Sequence, residues 1–244
     1  NGSMDFHLTE KLVRVLADLR SDGKNIVLVT SGAIGIGRFR MSISDRPSSL
    51  PQKQALAAIG QVSLMHYYSK LFSEYDQIVA QVLITRDVVD DELKKQNTYN
   101  TFCTLLDYGV IPIVNENDTV ATEEIEPIFG DNDTLSAVVA ELIGADLLIL
   151  LSDIEGLYDK NPKAHEDANL IPIIYDVCNQ VIEGAEDTNN NLGTGGMKTK
   201  IGAARICSEA GIPMIITNGN DPDHIYEILE GKDVGTLFVP KMNR

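Results

Sequence analysis

The chain has few cysteines and histidines, little positive charge and no long apolar run. Cys103, Cys178 and Cys207 stand far apart without a CxxC spacing, and His7, His66, His165 and His224 are equally scattered. That distribution argues against a disulfide framework or a zinc cluster and reads as reduced, structural thiols. No apolar stretch approaches the ~20 residues needed to span a bilayer. The N-terminus also lacks the shape of a secretory signal. Both absences predict a cytoplasmic protein. Twenty Lys and Arg against 36 Asp and Glu leave a net charge of −16. Such a surface repels polyanions and no basic run offsets it, so nucleic acid and membrane are not expected partners. Asn117-Asp-Thr and Asn132-Asp-Thr fit a glycosylation sequon, which an intracellular chain does not present to the transferase. There is no internal repeat, low-complexity tract or long linker.

What the chain does contain is length and alternation. Its 244 residues, 43% apolar, suffice for one substantial α/β domain, and a single domain over 1–244 is the expectation. Helical spacing over Leu8 to Leu19 leads into the apolar run Ile26-Val-Leu-Val29, which reads as a buried parallel strand. The pattern continues with a helix over Gln52 to Phe72, a strand over Ile78 to Ile84 and a helix over Asp90 to Leu106. After these come a strand Val110 to Val114 and a helix from about Thr134. The remaining strands are expected at Leu147 to Leu151, Ile171 to Tyr175, Pro213 to Ile216 and Thr236 to Val239. The remaining helices are expected over Met197 to Ala210 and in a short segment before the last strand. This alternation predicts a three-layer αβα fold around a mostly parallel sheet. In such sheets ligands bind beyond the carboxyl ends of the strands.

The polar motifs fall at those ends. Gly193-Thr-Gly-Gly-Met-Lys-Thr-Lys200 places glycines and two lysines at the start of a helix, where backbone N–H groups and the helix dipole favour phosphate. It is not the common P-loop, because Met197 stands where that motif needs glycine before its lysine. Thr30-Ser-Gly-Ala-Ile-Gly-Ile-Gly37 follows a strand and reads either as a tight strand-to-helix turn or as amides and a hydroxyl offered to a ligand. Asn115-Glu-Asn-Asp-Thr-Val-Ala-Thr122 follows another strand. Such polar groups cap a helix or bind one another or a ligand. In Gly130-Asp-Asn-Asp-Thr-Leu-Ser136, one acid serves as an N-cap, or else orients a lysine while the amide binds substrate. Ser152-Asp-Ile-Glu-Gly-Leu-Tyr158 is a surface turn, or Ser152, Asp153 and a rim formed by Gly156 to Tyr158 hold a nucleotide.

The succession TSGAIGIG, KQALAAIGQ, PIVNENDTVAT, GDNDTLSA, LLSDIEGLYDKNP and GTGGMKTK resembles the amino acid kinase family, and within it the members that act on glutamate. The resemblance covers nearly the whole chain. It implies phosphorylation of the γ-carboxylate of L-glutamate by ATP with Mg²⁺, the first step of proline synthesis. It also implies feedback inhibition by proline and a homo-oligomer, dimer or tetramer. Matched motif by motif, it implies that Ser31, Asp118 and Asn132 bind glutamate, with the Gly32 and Ala33 backbone close by and Asp131 helping to hold the amino group. Ser152 and Asp153 would bind ATP together with Thr194, Gly195, Gly196, Met197, Lys198, Thr199 and Lys200. Lys200 would stabilise the transferring phosphoryl group and Asp133 would be the organising acid. An ionised carboxylate is already a nucleophile, so the absence of a poised histidine agrees with this chemistry; charge neutralisation is the main requirement. Family members open with a strand carrying K-x-G-[ST], and this sequence starts at Asn1-Gly-Ser-Met4, so that strand is expected ahead of it. Ending near Arg244, the sequence leaves no room for the RNA-binding-like domain that some members append. The competing readings are another family member, acting on acetylglutamate, aspartate, carbamate or a nucleoside monophosphate, and a non-catalytic sensor of glutamate or proline.

Overall fold

The computed structural model describes residues 5–85, 87–120, 132–160, 162, 164–177 and 196–241. The backbone gathers into two compact units, Asn1–Glu126 and Pro127–Arg244. Each is an α/β arrangement, and the strands are mostly parallel, as the alternation predicts.

In the first unit, helix α1 (Phe6–Ser21) starts at Asp5, whose carboxylate accepts from the Leu8 N–H at 3.0 Å. Helices α2 (Ala33–Arg40), α3 (Leu50–Ser73), α4 (Asp87–Asp90) and α5 (Glu92–Asp107) surround strands β1 (Leu28–Val29), β2 (Val79–Ile84) and β3 (Ile111–Glu116). The sheet order is β1-β3-β2, all parallel. Central β3 is buried from Ile111 through Asn115, which explains its unbroken apolar run.

Two boundaries differ from expectation for physical reasons. β1 is only two residues long and half-buried, not a buried strand from Ile26. Ile111 donates its N–H to Ile78 beside β2, so the alternate residue Pro112 faces β1, where it has no N–H to extend the ladder. The expected helix from Asp90 is split, because Asp91 leaves the helix and accepts from the Lys94 N–H at 3.0 Å, capping α5.

The glycine-rich segment after β1 forms a turn followed by the eight-residue helix α2, lying against α3. The two backbones are in direct contact. A Cβ on Gly60 would sit 1.7 Å from the Ala33 carbonyl oxygen, so only glycine lets α3 approach the start of α2.

The second unit contains helices α6 (Asn132–Ile143), α7 (Met197–Glu209) and α8 (His224–Leu229) with strands β4 (Leu148–Ser152), β5 (Ile173–Ile174), β6 (Met214–Asn218) and β7 (Thr236–Phe238). Sheet order is β4-β6-β7-β5. β4 and β6 are parallel, as are β5 and β7, while β6 and β7 are antiparallel. Ala137, Ala140, Ile201, Ala204, Met214 and Phe238 belong to one buried apolar cluster. Alanines on α6 and α7 allow these helices to pack closely. No helix among the described residues is long and apolar enough to cross a membrane.

Candidate active site

Polar groups collect at strand and helix ends in both units. In the second, the packing of α6 on α7 brings together side chains 67 residues apart. Lys200 Nζ lies 2.8 Å from Asp133 Oδ2, with the two side chains only 11% and 16% exposed. Thr199 Oγ1 lies 2.9 Å from the same oxygen and 2.7 Å from the Gly196 carbonyl. Asp133 therefore orients both a cation and a hydroxyl in the first turn of α7, whose N-cap is Gly196. An ammonium fixed beside a helix N-terminus is suited to stabilising a phosphoryl group. Gly196 and Lys198 are exposed there and Met197 is half-buried.

Ser152 closes β4 and its carbonyl accepts from the Gly219 N–H at 2.7 Å, which ties the exits of β4 and β6. Its hydroxyl lies 3.3 Å from Asp153 Oδ1, and Asp153 is exposed. Asn218 donates to Glu155 Oε1 at 2.6 Å. The segment Gly156 to Tyr158, read as a surface turn or as a rim for a nucleotide, is largely packed against the strands. Gly156 and Leu157 are buried, and Leu157 donates its N–H to buried Thr236 Oγ1 at 2.8 Å. Asn132 and Asp133 open α6, and Ser136 Oγ caps back onto the Asp133 carbonyl at 2.6 Å. Asp131, Thr194 and Gly195 lie outside the described residues.

In the first unit, Ser31 and Gly32 are exposed at the exit of β1, and Ala33 is buried against α3. Gly32 has φ of 96° and precedes the first residue of α2, a left-handed conformation that glycine adopts without the steric cost of a Cβ. At the exit of β3, Asn115 is 3% exposed; its Nδ2 donates to Gln61 Oε1 at 2.9 Å and its Oδ1 accepts from the Glu116 N–H at 3.0 Å. These bonds fix the direction in which the chain continues to Asp118.

Glu116 is a feature that sequence reasoning did not single out. Burial pushes its carboxyl up to about 7, reinforced by the neighbouring negative charge of Asp118. Burial also raises the carboxyl of Asp118. Two partly desolvated carboxylates favour a cation nearby, and the run Asn115-Glu-Asn-Asp was the available clue. The effect on stability has a definite sign. Because folding raises the Glu116 value from 4.5 to about 7, the folded state holds that proton more tightly. Stability is therefore lost as pH rises across that interval. Glu116→Gln is expected to raise Tm at about pH 8 and to leave it nearly unchanged at about pH 4.5. Thermal melts at the two pH values check this, and an equal shift at both would contradict it.

Comparison with known proteins fits this arrangement. The amino acid kinase family model matches residues 3–218. Among curated relatives, glutamate 5-kinase from Clostridium acetobutylicum is 52% identical over 241 residues, covering 99% of this chain and 90% of the relative. Glutamate 5-kinases from Clostridium perfringens and Listeria innocua are 49% and 50% identical over 243 residues, covering 99% of this chain and 90% and 88% of the relatives. Among solved structures, carbamate kinase from Giardia lamblia bound to AMP-PNP superposes with a TM-score of 0.68 at 15% identity, over 99% of this chain and 93% of that one. An isopentenyl phosphate kinase substrate complex gives 0.59 at 17% identity, over 97% and 92%. At such identities these structures speak for the fold alone. From the family match and the near-full-length relatives, the chain belongs to the amino acid kinase family.

Proposed function

We propose that the chain transfers the γ-phosphoryl group of ATP, supplied with Mg²⁺, to the γ-carboxylate of L-glutamate, yielding L-glutamyl 5-phosphate. The observation that carries the reading is the part-buried Lys200–Asp133 pair at the start of α7, in a chain about half identical to glutamate 5-kinases along nearly its whole length. No general base is required, since the acceptor is an anion; the barrier is repulsion between two anions. Positioned cations and amide donors lower it. Lys200 supplies charge to the transferring group, and Asp133 holds it in place. Ser152, Asp153 and the loop from Thr194 to Thr199 bind the nucleotide. Ser31, the Gly32 and Ala33 backbone, Asp118, Asp131 and Asn132 bind glutamate. The same reading places the enzyme in the cytoplasm, at the first step of proline biosynthesis, as a single-domain homo-oligomer inhibited by proline.

An acyl phosphate product reacts with hydroxylamine to give a hydroxamate. Incubation with glutamate, MgATP and hydroxylamine should accumulate the γ-glutamyl hydroxamate, detected by its ferric complex. Glutamate and proline binding without hydroxamate would instead support a sensor.

A further inference from the structure

Tyr68, on the buried face of α3, lies outside the polar clusters described above. It is 6% exposed, packs near the Phe72 ring at 6.4 Å between centroids, and places its hydroxyl 3.2 Å from Thr30 Oγ1. Thr30 is itself 8% exposed, and its N–H is anchored to the Val114 carbonyl at 2.9 Å. The Thr30 hydroxyl in turn lies 3.5 Å from the Ser31 carbonyl oxygen as a donor. A hydroxyl carries one proton. If Thr30 gives its proton to Ser31, Tyr68 must be the donor to Thr30. The order is then Tyr68 O–H to Thr30 Oγ1, and Thr30 O–H to Ser31 C=O.

The end of this relay is one peptide plane. A trans peptide is planar with its C=O and N–H pointing in opposite directions, and there is no cis bond among the described residues. Holding the Ser31 carbonyl toward Thr30 therefore directs the Gly32 N–H to the other side. Among the described residues, that N–H has no hydrogen-bond partner. The restraint matters because Gly32, at φ 96°, lacks the Cβ that would oppose a peptide flip. Contact of Gly60 with the Ala33 carbonyl holds the far side of the turn. Burial raises the Tyr68 phenol above its ordinary value, which keeps it protonated as the donor.

We propose that Tyr68 is a positioning residue: through Thr30 it locks the Ser31–Gly32 peptide with the Gly32 N–H presented to a carboxylate of the substrate. This rests on the reading above that the Ser31 turn binds glutamate. Thr30→Val removes the bond to the Ser31 carbonyl, Tyr68→Phe leaves that bond but frees the Thr30 hydroxyl to turn away from it, and Thr30→Ser preserves the relay.

The test is steady-state kinetics on the full-length protein, with melting curves on each variant. Thr30→Val should raise the glutamate KM by roughly tenfold, the scale of one hydrogen bond to a charged group, and Tyr68→Phe should raise it by a smaller factor. In both, kcat and the ATP KM should stay within about twofold. Thr30→Ser should be close to the parent. The double variant Tyr68→Phe/Thr30→Val should be no worse than Thr30→Val alone, because Tyr68 acts only through Thr30. A merely structural role would lower Tm and leave the glutamate KM alone, and that result in either folded variant overturns the proposal. Multiplied effects in the double variant overturn it too. A parent protein that phosphorylates acetylglutamate instead would contradict the assigned substrate and not the lock, which is then read on the KM of that substrate.

Discussion

Replacing Lys200 with alanine is expected to lower kcat by roughly 10²- to 10³-fold, the loss that follows removal of one preorganised charge-stabilising donor. The glutamate KM should change little. The ammonium is held 2.8 Å from Asp133 on the start of α7, where a phosphoryl group experiences both the lysine charge and the helix dipole. Removing it also breaks the Lys200–Asp133 ion pair, in which the Asp133 side chain is 16% exposed. Breaking a part-buried pair of this kind should lower stability. The Thr199 hydroxyl, 2.9 Å from the same carboxylate oxygen, remains and moderates that loss. Lys200→Met/Asp133→Asn removes both charges and separates the two effects. It should melt higher than Lys200→Ala and remain equally slow. Recovery of turnover together with stability would show that the pair only holds α6 to α7.

The second large effect is at Asp118. Asp118→Asn should raise the glutamate KM by roughly 10- to 100-fold, as expected for loss of a charge-assisted hydrogen bond to an amino-acid ligand. The ATP KM should stay the same. The same substitution should stabilise the free protein at neutral pH, because burial already raises this carboxyl; its folded-state value lies above the unfolded one, and the charged form is disfavoured by folding. A side chain whose charge opposes folding and favours substrate points to a functional role. Parallel measurement of Tm and both KM values decides the matter. A rise confined to the ATP KM would move Asp118 out of the glutamate site.

Much of the scaffold was legible because burial left a plain pattern. The apolar run at Ile111 to Val114 is central β3, and the helical spacing at Leu8 to Leu19 is α1. What escaped depends on partners distant in sequence. β1 is short because of how Pro112 is registered on it, and a strand's own residues do not disclose which proline it will meet. Helix α2 looked like a turn because Gly32, Gly35 and Gly37 weaken helix propensity. It forms because Gly60 and Gly37 let two helices touch. The reversal of β7 against β6 leaves no trace in apolar periodicity.

The site shows the same division. The sequence offered an acid that orients a lysine and named Asp133 as the organising acid, and the packing of α6 on α7 shows that its lysine is Lys200. Glu116 was passed over because its raised carboxyl comes from burial at a strand exit, which composition does not express. Tyr68 was hidden as one aromatic residue on an apolar helix face.

Glutamate-dependent release of ADP from MgATP, with aspartate and acetylglutamate as controls, tests the central claim most directly. Release that depends on glutamate, is weak with either control and is nearly abolished in Lys200→Ala is the predicted result. No release with glutamate from the folded full-length protein, or release equally fast with acetylglutamate, would contradict the account.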